Sequence, residues 1–90
     1  MIIISYDIEN DKIRTKFSKY IKRFGERIQY SVYRIDNGER ILNNIMADIN
    51  NQFMSQFGEN DSIFIFKLSK SCETIRMGYP KNEEKDLIII

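Results

Sequence analysis

Apolar residues recur along this chain with two periods, one typical of strands and one typical of helices. The first eight residues, MIIISYDI, are a near-continuous apolar run that predicts a buried strand. Side chains alternate along a strand, so this strand has two distinct faces. One face carries Ile2, Ile4, Tyr6 and Ile8, and the other carries Ile3, Ser5 and Asp7. The predicted strand therefore ends beside an acid.

Two segments carry apolar residues at helical spacing. The first helix is predicted over Asp11–Phe24, and Gly25 is expected to end it as a left-handed cap. The second is predicted to begin at Asn37 or Gly38 and to end near residues 57–58. Their apolar residues are Ile13, Phe17, Tyr20, Ile21 and Phe24 in the first helix, and Ile41, Leu42, Ile45, Met46, Ile49 and Phe53 in the second. Both stripes are expected to face the core.

The segment Arg27–Ile35 alternates cleanly between two sets of side chains and predicts a single strand. Ile28, Tyr30 and Val32 point one way and are expected to pack against the helices. The opposite face is mostly polar, although it also carries aromatic and apolar groups.

Three further strands are predicted over residues 61–68, 72–79 and 87–90. We assign the order β-α-β-β-α-β with an extra C-terminal strand, which is an α+β, ferredoxin-like single domain over residues 1–90. The strand at 61–68 is apolar on both faces, whereas a sheet covered on one side should be polar on the other. A face-to-face homodimer is therefore expected, in which residues 81–90, a charged connector and the last strand, pair with a partner subunit.

Composition narrows the function classes. The chain has 90 residues, a net charge of +1, one cysteine and no histidine, which excludes histidine-dependent catalysis and a Cys/His zinc site. Cys72 has no internal disulfide partner, and no function is assigned to it. The sequence shows no membrane-length apolar run and no secretory signal, so we expect a cytoplasmic protein that does not bind a membrane.

Charge is distributed unevenly along the chain. Between Lys12 and Arg34 there are eight basic residues and one acid. Lys12, Lys16, Lys19 and Arg23 form a stripe along the first predicted helix. Such a segment is typical of a phosphate-binding surface and equally of a solvated helix face.

Asp7 is the candidate catalytic and metal-binding residue. Without histidine, catalysis would depend on a carboxylate with a metal, supported by phosphate-binding Arg and Lys. Magnesium sites use one or two carboxylates and keep several waters, so one Asp7 is a weak set of ligands. In a face-to-face dimer, the Asp7 residues of two chains could meet across the two-fold axis. An acid here also suits a plain helix start, and the residues alone leave both interpretations open.

Ser31 and Tyr33 are expected on one face of their strand, the face that also carries Asp7. Ser31 has no neighbouring base and is interpreted as an interface hydroxyl rather than a nucleophile. Tyr33, Phe64 and Phe66 suit either an RNA-binding sheet face or a dimer interface.

Three segments of the chain resemble the Cas2 family of CRISPR-associated proteins. They are the strand end Tyr6-Asp7-Ile8, the basic helix with Arg14 and Lys16, and the run GERIQYSVY over residues 25–33. The last segment matches the family pattern G-x-R-x-Q-x-S-V-aromatic. Lys16 stands where some members have Arg, and the final Tyr stands where many have Phe, so charge and aromatic character are kept.

The resemblance implies a function and a set of site residues. Members of the family form ferredoxin-like homodimers that bridge the Cas1 integrase and hold DNA for spacer acquisition in antiviral defence. Many are described as Mg²⁺-dependent endonucleases on single-stranded RNA or double-stranded DNA, with the acid of the first strand, here Asp7, as metal ligand. With the helix stripe added, the nucleic-acid-binding candidates are Arg14, Lys16, Lys19, Arg23 and Arg27. The candidates for neighbours of the site are Tyr6, Ser31 and Tyr33.

Other functions remain open from the residues. A purely non-catalytic scaffold would hold DNA through Lys and Arg alone, and the single acid per chain favours it slightly. A ribonuclease toxin like virulence-associated protein D would share the architecture. A sequence-specific RNA binder is disfavoured because dimerisation would cover the sheet face it needs.

Overall fold

The computed structural model of the chain describes residues 1–36, 38–68 and 73–78. The described residues form two helices and five strands in the order β-α-β-β-α-β-β. The strands are β1 (Ile2–Asp7), β2 (Glu26–Gln29), β3 (Val32–Ile35), β4 (Ser62–Lys67) and β5 (Glu73–Gly78), and the helices are α1 (Asp11–Ile21) and α2 (Glu39–Asp48). A π-helical turn, Ile49–Phe53, and a 3₁₀ turn, Met54–Gln56, continue α2.

The five strands form one antiparallel sheet with β1 at its centre. The strand order is β2-β3-β1-β4-β5, and Ile4 of β1 lies opposite Tyr33 of β3 and Ile65 of β4. The first four strands have the ferredoxin-like order, so the predicted fold class is confirmed, with β5 added beside β4. Cys72 and the predicted segment 81–90 lie outside the described residues.

Both helices cover the same face of the sheet. The rings of Phe17 in α1 and Phe53 after α2 meet edge to face, with centroids 5.1 Å apart, and both are buried. One continuous core joins them to Ile4 and Ile65. The apolar stripes predicted for the two helices therefore face the core as expected, because a helix on a sheet must bury its apolar side.

The single strand predicted over Arg27–Ile35 is wrong. A turn at residues 30–31 divides this segment into β2 and β3, which pair antiparallel with Glu26 opposite Arg34. Ser31 takes a positive φ of 64° in the turn. Apolar and polar residues alternate without interruption through residues 30–31, so the sequence pattern gave no sign of the turn. The hairpin supplies the adjacent second and third strands of the β-α-β-β-α-β order, which the elements predicted from the sequence, with a single strand between the helices, did not contain.

The face predicted to meet the helices is also wrong for this segment. Ile28 and Tyr30 are 49% and 67% exposed, whereas Tyr33 and Ile35 are buried. The ladder between β2 and β3 is irregular between Arg27 and Gln29, which is the position of a bulge. A bulge and a tight turn each break the two-residue period, so the face cannot be extrapolated across them.

The predicted end of the first helix needs correction as well. α1 ends at Ile21 rather than Phe24, and Gly25 does not have the positive φ of a left-handed cap. A Cβ at Gly25 would overlap the carbonyl oxygen of Arg34. Glycine is required here because the chain passes very close to β3, not because of its backbone angles.

The sheet face away from the helices, called the outer face below, is partly apolar. Ile3 lies opposite Phe66, and Ser5 lies opposite Phe64, and all four are half-buried. The guanidinium of Arg76 on β5 lies 5.1 Å above the ring of Phe64. In the part of the chain that the structure describes, no helix is long and apolar enough to cross a membrane.

Candidate functional site

Asp7 is the last residue of β1 and is exposed on the outer face. It lies opposite Ser62, the first residue of β4. A depression of about 220 Å³ at this point is lined by Ser5, Tyr6, Asp7, Ser62 and Phe64. Asp7 is therefore accessible at the end of the central strand, with serine residues around it.

A single chain offers a poor fit for a divalent cation at this depression. Over residues 1–36, 38–68 and 73–78, no group of three His, Cys, Asp or Glu residues could hold a metal ion. The depression brings one carboxylate, Asp7, together with the serines Ser5 and Ser62. Mg²⁺ takes oxygen ligands and uses one or two carboxylates with waters. The donor chemistry suits Mg²⁺, and the depression supplies one of the one or two carboxylates that such a site uses.

A second depression, called the basic cleft below, lies between α1 and the β2–β3 turn. Its volume is about 300 Å³. It is lined by Tyr6, Arg14, Thr15, Ser18, Lys19, Arg27, Tyr30 and Ser31. Three of these residues are cations, five carry hydroxyls and none is acidic. The cleft therefore has the chemistry of an anion-binding site.

Hydrogen-bonded hydroxyls form the inner part of the basic cleft. The hydroxyls of Ser18 and Tyr33 lie 2.9 Å apart, and Tyr6 lines the cleft together with Ser18 and Ser31. The rings of Tyr6 and Tyr33 stack with centroids 6.3 Å apart. Burial raises the pKa of Tyr6 above its ordinary value, so its hydroxyl stays protonated further into alkaline pH than that of a free tyrosine. The network fixes α1 against β1 and β3.

Arg14 supports the loop between β1 and α1 as well as lining the basic cleft. Its guanidinium donates to the carbonyl oxygen of Ile8 at 3.0 Å and forms an ion pair with Asp11. The hydrogen bond to Asp11 raises the pKa of Arg14. Because the side chain is tied to the loop that follows Asp7, Arg14 contributes a fixed charge rather than a mobile one.

The predicted nucleic-acid-binding residues separate into two groups. Arg14, Lys19 and Arg27 meet at the basic cleft, together with Tyr6 and Ser31. Two others lie elsewhere. Lys16 is exposed on an open surface of α1, and the guanidinium of Arg23 lies over the rings of Tyr20 and Phe24 at 5.8 and 5.7 Å.

Tyr33 does not share a face with Asp7, contrary to expectation. It is 2% exposed and points to the helices, opposite Ile4 in the ladder. The expectation failed because it depended on one unbroken strand from Arg27. Tyr33 is thus unavailable as an aromatic platform on the outer face, whereas Phe64 and Phe66 do lie there.

Asp61, which is 3% exposed, was not among the residues predicted from the sequence. Its carboxylate accepts hydrogen bonds from the backbone N–H groups of Glu9 and Gly58, each at 2.8 Å. The sequence did contain a signal for this turn. Asp61 follows Gly58 by three residues and precedes an apolar strand, and Asp side chains often hydrogen-bond to the backbone of such turns. Thr15 and Ser18 were missed too, although they lie one helical turn from Lys19 and Arg14 respectively.

The fold and the two depressions define a small ferredoxin-like protein with an exposed acid at the end of its first strand and a basic cleft beside that strand. Residues 1–75 match the family model described as CRISPR associated protein Cas2. The chain belongs to the Cas2 family.

Three relatives are named as endoribonucleases of this family. The CRISPR-associated endoribonuclease Cas2 1 of Chloroflexus aurantiacus is 30% identical, over 98% of this chain and 97% of its own length. Cas2 3 of Synechocystis sp. is 29% identical over 77% of this chain and 72% of its own length. Cas2 2 of Methanospirillum hungatei is 27% identical over 80% of this chain and 76% of its own length.

Proposed function

We propose that this protein is a CRISPR-associated endoribonuclease that uses Mg²⁺ held between the Asp7 residues of two chains. The observation that carries the proposal is the exposed carboxylate of Asp7 in a depression of the outer face, flanked by Ser5 and Ser62. Three family relatives are named endoribonucleases, which supports RNA as the substrate.

The apolar part of the outer face supports the dimer that this proposal needs. Ile3, Phe64 and Phe66 are half-buried there, on the same face as Asp7. Covering apolar area contributes about 25 cal/mol per Å², so a second copy of the sheet is a favourable partner for this surface. Packing the two outer faces about a two-fold axis gives a self-complementary interface in which residues near the axis meet their equivalents, and the proposal requires Asp7 to be one of them.

The protein's own groups would share the work of cleavage. If it were bound there, Mg²⁺ would supply Lewis-acid chemistry toward a phosphodiester oxygen and a more acidic water. The two Asp7 carboxylates would hold the ion, and the hydroxyls of Ser5 and Ser62 would orient its waters. Lys19 and Arg27 in the basic cleft would hold a neighbouring phosphate through charge-assisted hydrogen bonds.

The test is cleavage of single-stranded RNA with Mg²⁺ and with EDTA, by wild type, Asp7→Asn and the control Glu9→Gln. Glu9 is exposed two residues further along and does not line the depression, so its change should leave cleavage intact. We expect Mg²⁺-dependent cleavage that Asp7→Asn reduces by at least about 100-fold, an order typical of removing a catalytic group. Equal cleavage by wild type and Asp7→Asn, or none by either, would overturn the proposal.

A second candidate function is a DNA-holding scaffold that bridges the Cas1 integrase, and one observation favours it. An open surface on α1 is lined by Lys12, Lys16 and Lys19. It lies on the helix-covered side of the sheet, whereas Asp7 lies on the outer face. Backbone binding needs cations and no metal site. Under this candidate, Asp7→Asn binds duplex DNA as wild type does, and spacer acquisition in cells survives the substitution. Loss of acquisition in Asp7→Asn would reject a purely non-catalytic scaffold.

A further inference from the structure

Tyr30 lies at the rim of the basic cleft and has no role in the proposed chemistry. It is 67% exposed, a large fraction for an aromatic side chain, and it stands in the turn between β2 and β3. Tyr6 and Tyr33 belong to the hydrophobic core and Tyr30 does not, so the ring of Tyr30 is not needed to fill the interior. An exposed aromatic beside a cationic cleft is a common arrangement in proteins that bind single-stranded nucleic acid.

The cations of the basic cleft come from two elements that Tyr30 lies beside. Arg14 is on α1 and Arg27 is on β2, and both line the cleft together with Tyr30. Lys19 completes the set from α1. Arg14 is already tied to Asp11 and Ile8, which leaves Lys19 and Arg27 as the cations that can bind a phosphate fully.

The size of the cleft limits the ligand. About 300 Å³ is the lower end of the range for small-molecule sites and is adequate for one nucleotide. Tyr6 lines both this cleft and the depression that contains Asp7, so the two lie on either side of the end of β1. The two sites are therefore adjacent.

We propose that the basic cleft binds one unpaired nucleotide of a single-stranded RNA, with its base stacked on the ring of Tyr30 and its phosphate bound by Lys19 and Arg27. The identity of the strand as RNA rests on the proposed function. Stacking on a side chain requires a free base face, and in a duplex the neighbouring bases cover those faces. The cleft thus selects single strands, a preference that Lys and Arg contacts to the backbone cannot give alone.

Binding is measured in EDTA, so that neither cleavage nor the metal site affects the result. The ligands are a short labelled oligouridylate, the same oligomer with abasic residues, and a duplex of equal length. The variants are Tyr30→Ala, Tyr30→Phe and the control Ile28→Ala, which changes an exposed apolar residue of β2 outside the cleft lining. Melting curves of each variant establish that the fold is intact.

We expect Tyr30→Ala to weaken oligouridylate binding by roughly 5- to 100-fold, the range for loss of one stacked base. Tyr30→Phe keeps the ring and should bind within about two-fold of wild type, as should Ile28→Ala. On the abasic oligomer and on the duplex, wild type and Tyr30→Ala should bind equally. Equal oligouridylate binding by wild type and Tyr30→Ala would overturn the proposal, as would an equal loss on the abasic oligomer. Because no metal is present, neither outcome depends on Asp7.

Discussion

The carboxylate of Asp61 accepts a hydrogen bond from the backbone N–H of Glu9 at 2.8 Å, joining two loops that are 52 residues apart in the chain. Its second oxygen accepts from Gly58 at the same distance. The loop that begins after Asp7 is thus fastened to the loop before β4. Arg14, which lines the basic cleft, donates to the carbonyl of Ile8 in the same loop that Asp61 holds.

Replacing Asp61 by Asn should destabilise the fold. The amide keeps one acceptor and turns an N–H₂ group toward a backbone N–H, which leaves buried donors unpaired at a cost of about 1–3 kcal/mol. For a domain of this size, thermal unfolding should shift down by roughly 4–8 °C per kcal/mol. Glu59→Gln is the control, since Glu59 is exposed in the same loop. A melting temperature equal to that of wild type would show that the two hydrogen bonds make no net contribution to the free energy of unfolding.

Gly25 and Gly38 form a matched pair for a second prediction. A Cβ at Gly25 would overlap the carbonyl oxygen of Arg34, whereas one at Gly38 meets nothing within 4 Å. Gly25→Ala should therefore cost about 1–3 kcal/mol through displaced backbone, while Gly38→Ala should stay within about 1 kcal/mol of wild type. Urea unfolding of the two variants checks this. Equal midpoints would contradict the close approach of the chain to β3.

Long periodic segments could be predicted from the sequence because burial alone determines them. Ile2 and Ile4 on β1, and Ile63 and Ile65 on β4, are buried on the helix side of the sheet as their alternation requires. The position of Asp7 at the end of β1 also followed from its apolar neighbours. The alternation of apolar residues along a single strand is enough to assign its buried face, and no knowledge of distant residues is needed.

The β2–β3 hairpin and the basic cleft could not be predicted in the same way. The turn at residues 30–31 lacks the Asn-Gly or Asp-Gly pair that usually marks a two-residue hairpin, and Ser31 adopts its positive φ without a glycine. Because the turn was not predicted, Tyr33 was assigned to the face away from the helices and Tyr30 was assigned to the core, and both assignments are wrong. The cleft joins α1 to this turn, so its residues are brought together only by the hairpin.

Alkaline pH should unfold the protein partly through Tyr20. Its hydroxyl donates to Asp48 at 2.6 Å, and burial together with this hydrogen bond raises the pKa of Tyr20 above its ordinary value of 10.0. The folded state then holds a proton that the unfolded state loses first. Stability from this group is complete below pH 10 and declines as pH rises toward the pKa of the folded state.

Tyr20→Phe should therefore make the alkaline decline in unfolding free energy shallower, while lowering stability at neutral pH by about 1 kcal/mol through the lost hydrogen bond. Tyr6, whose pKa burial also raises, keeps part of the decline in the variant. Urea unfolding at neutral pH and at several values above pH 10 gives both quantities. Parallel decline in the two proteins would exclude Tyr20 as a titrating group in unfolding.

Lys16 should contribute to nucleic-acid binding through charge alone. It is exposed on α1 outside the basic cleft, so a phosphate contact here is the only interaction expected. Lys16→Gln should weaken binding to duplex DNA of any sequence and reduce the slope of log K against log salt by about 0.9. Arg40→Gln, an exposed cation on α2, is the control and should leave the slope unchanged. An unchanged slope in Lys16→Gln would assign this lysine to a solvated helix face.

Mixing wild type with Asp7→Asn tests whether one site needs two carboxylates. If each site uses Asp7 from both chains, every mixed dimer is inactive, and an equimolar mixture retains about one quarter of the wild-type rate at equal total protein. If each chain cleaves independently, the mixture retains about one half. The chains must be exchanged by unfolding and refolding together, and Glu9→Gln mixed in the same way should cause no loss. A result of one half would exclude the paired-carboxylate site while leaving Asp7 as a ligand within one chain.

Phe66→Lys on the outer face distinguishes a site shared between two chains from a site within one chain. A charge buried in the proposed interface should abolish cleavage only if the site is shared.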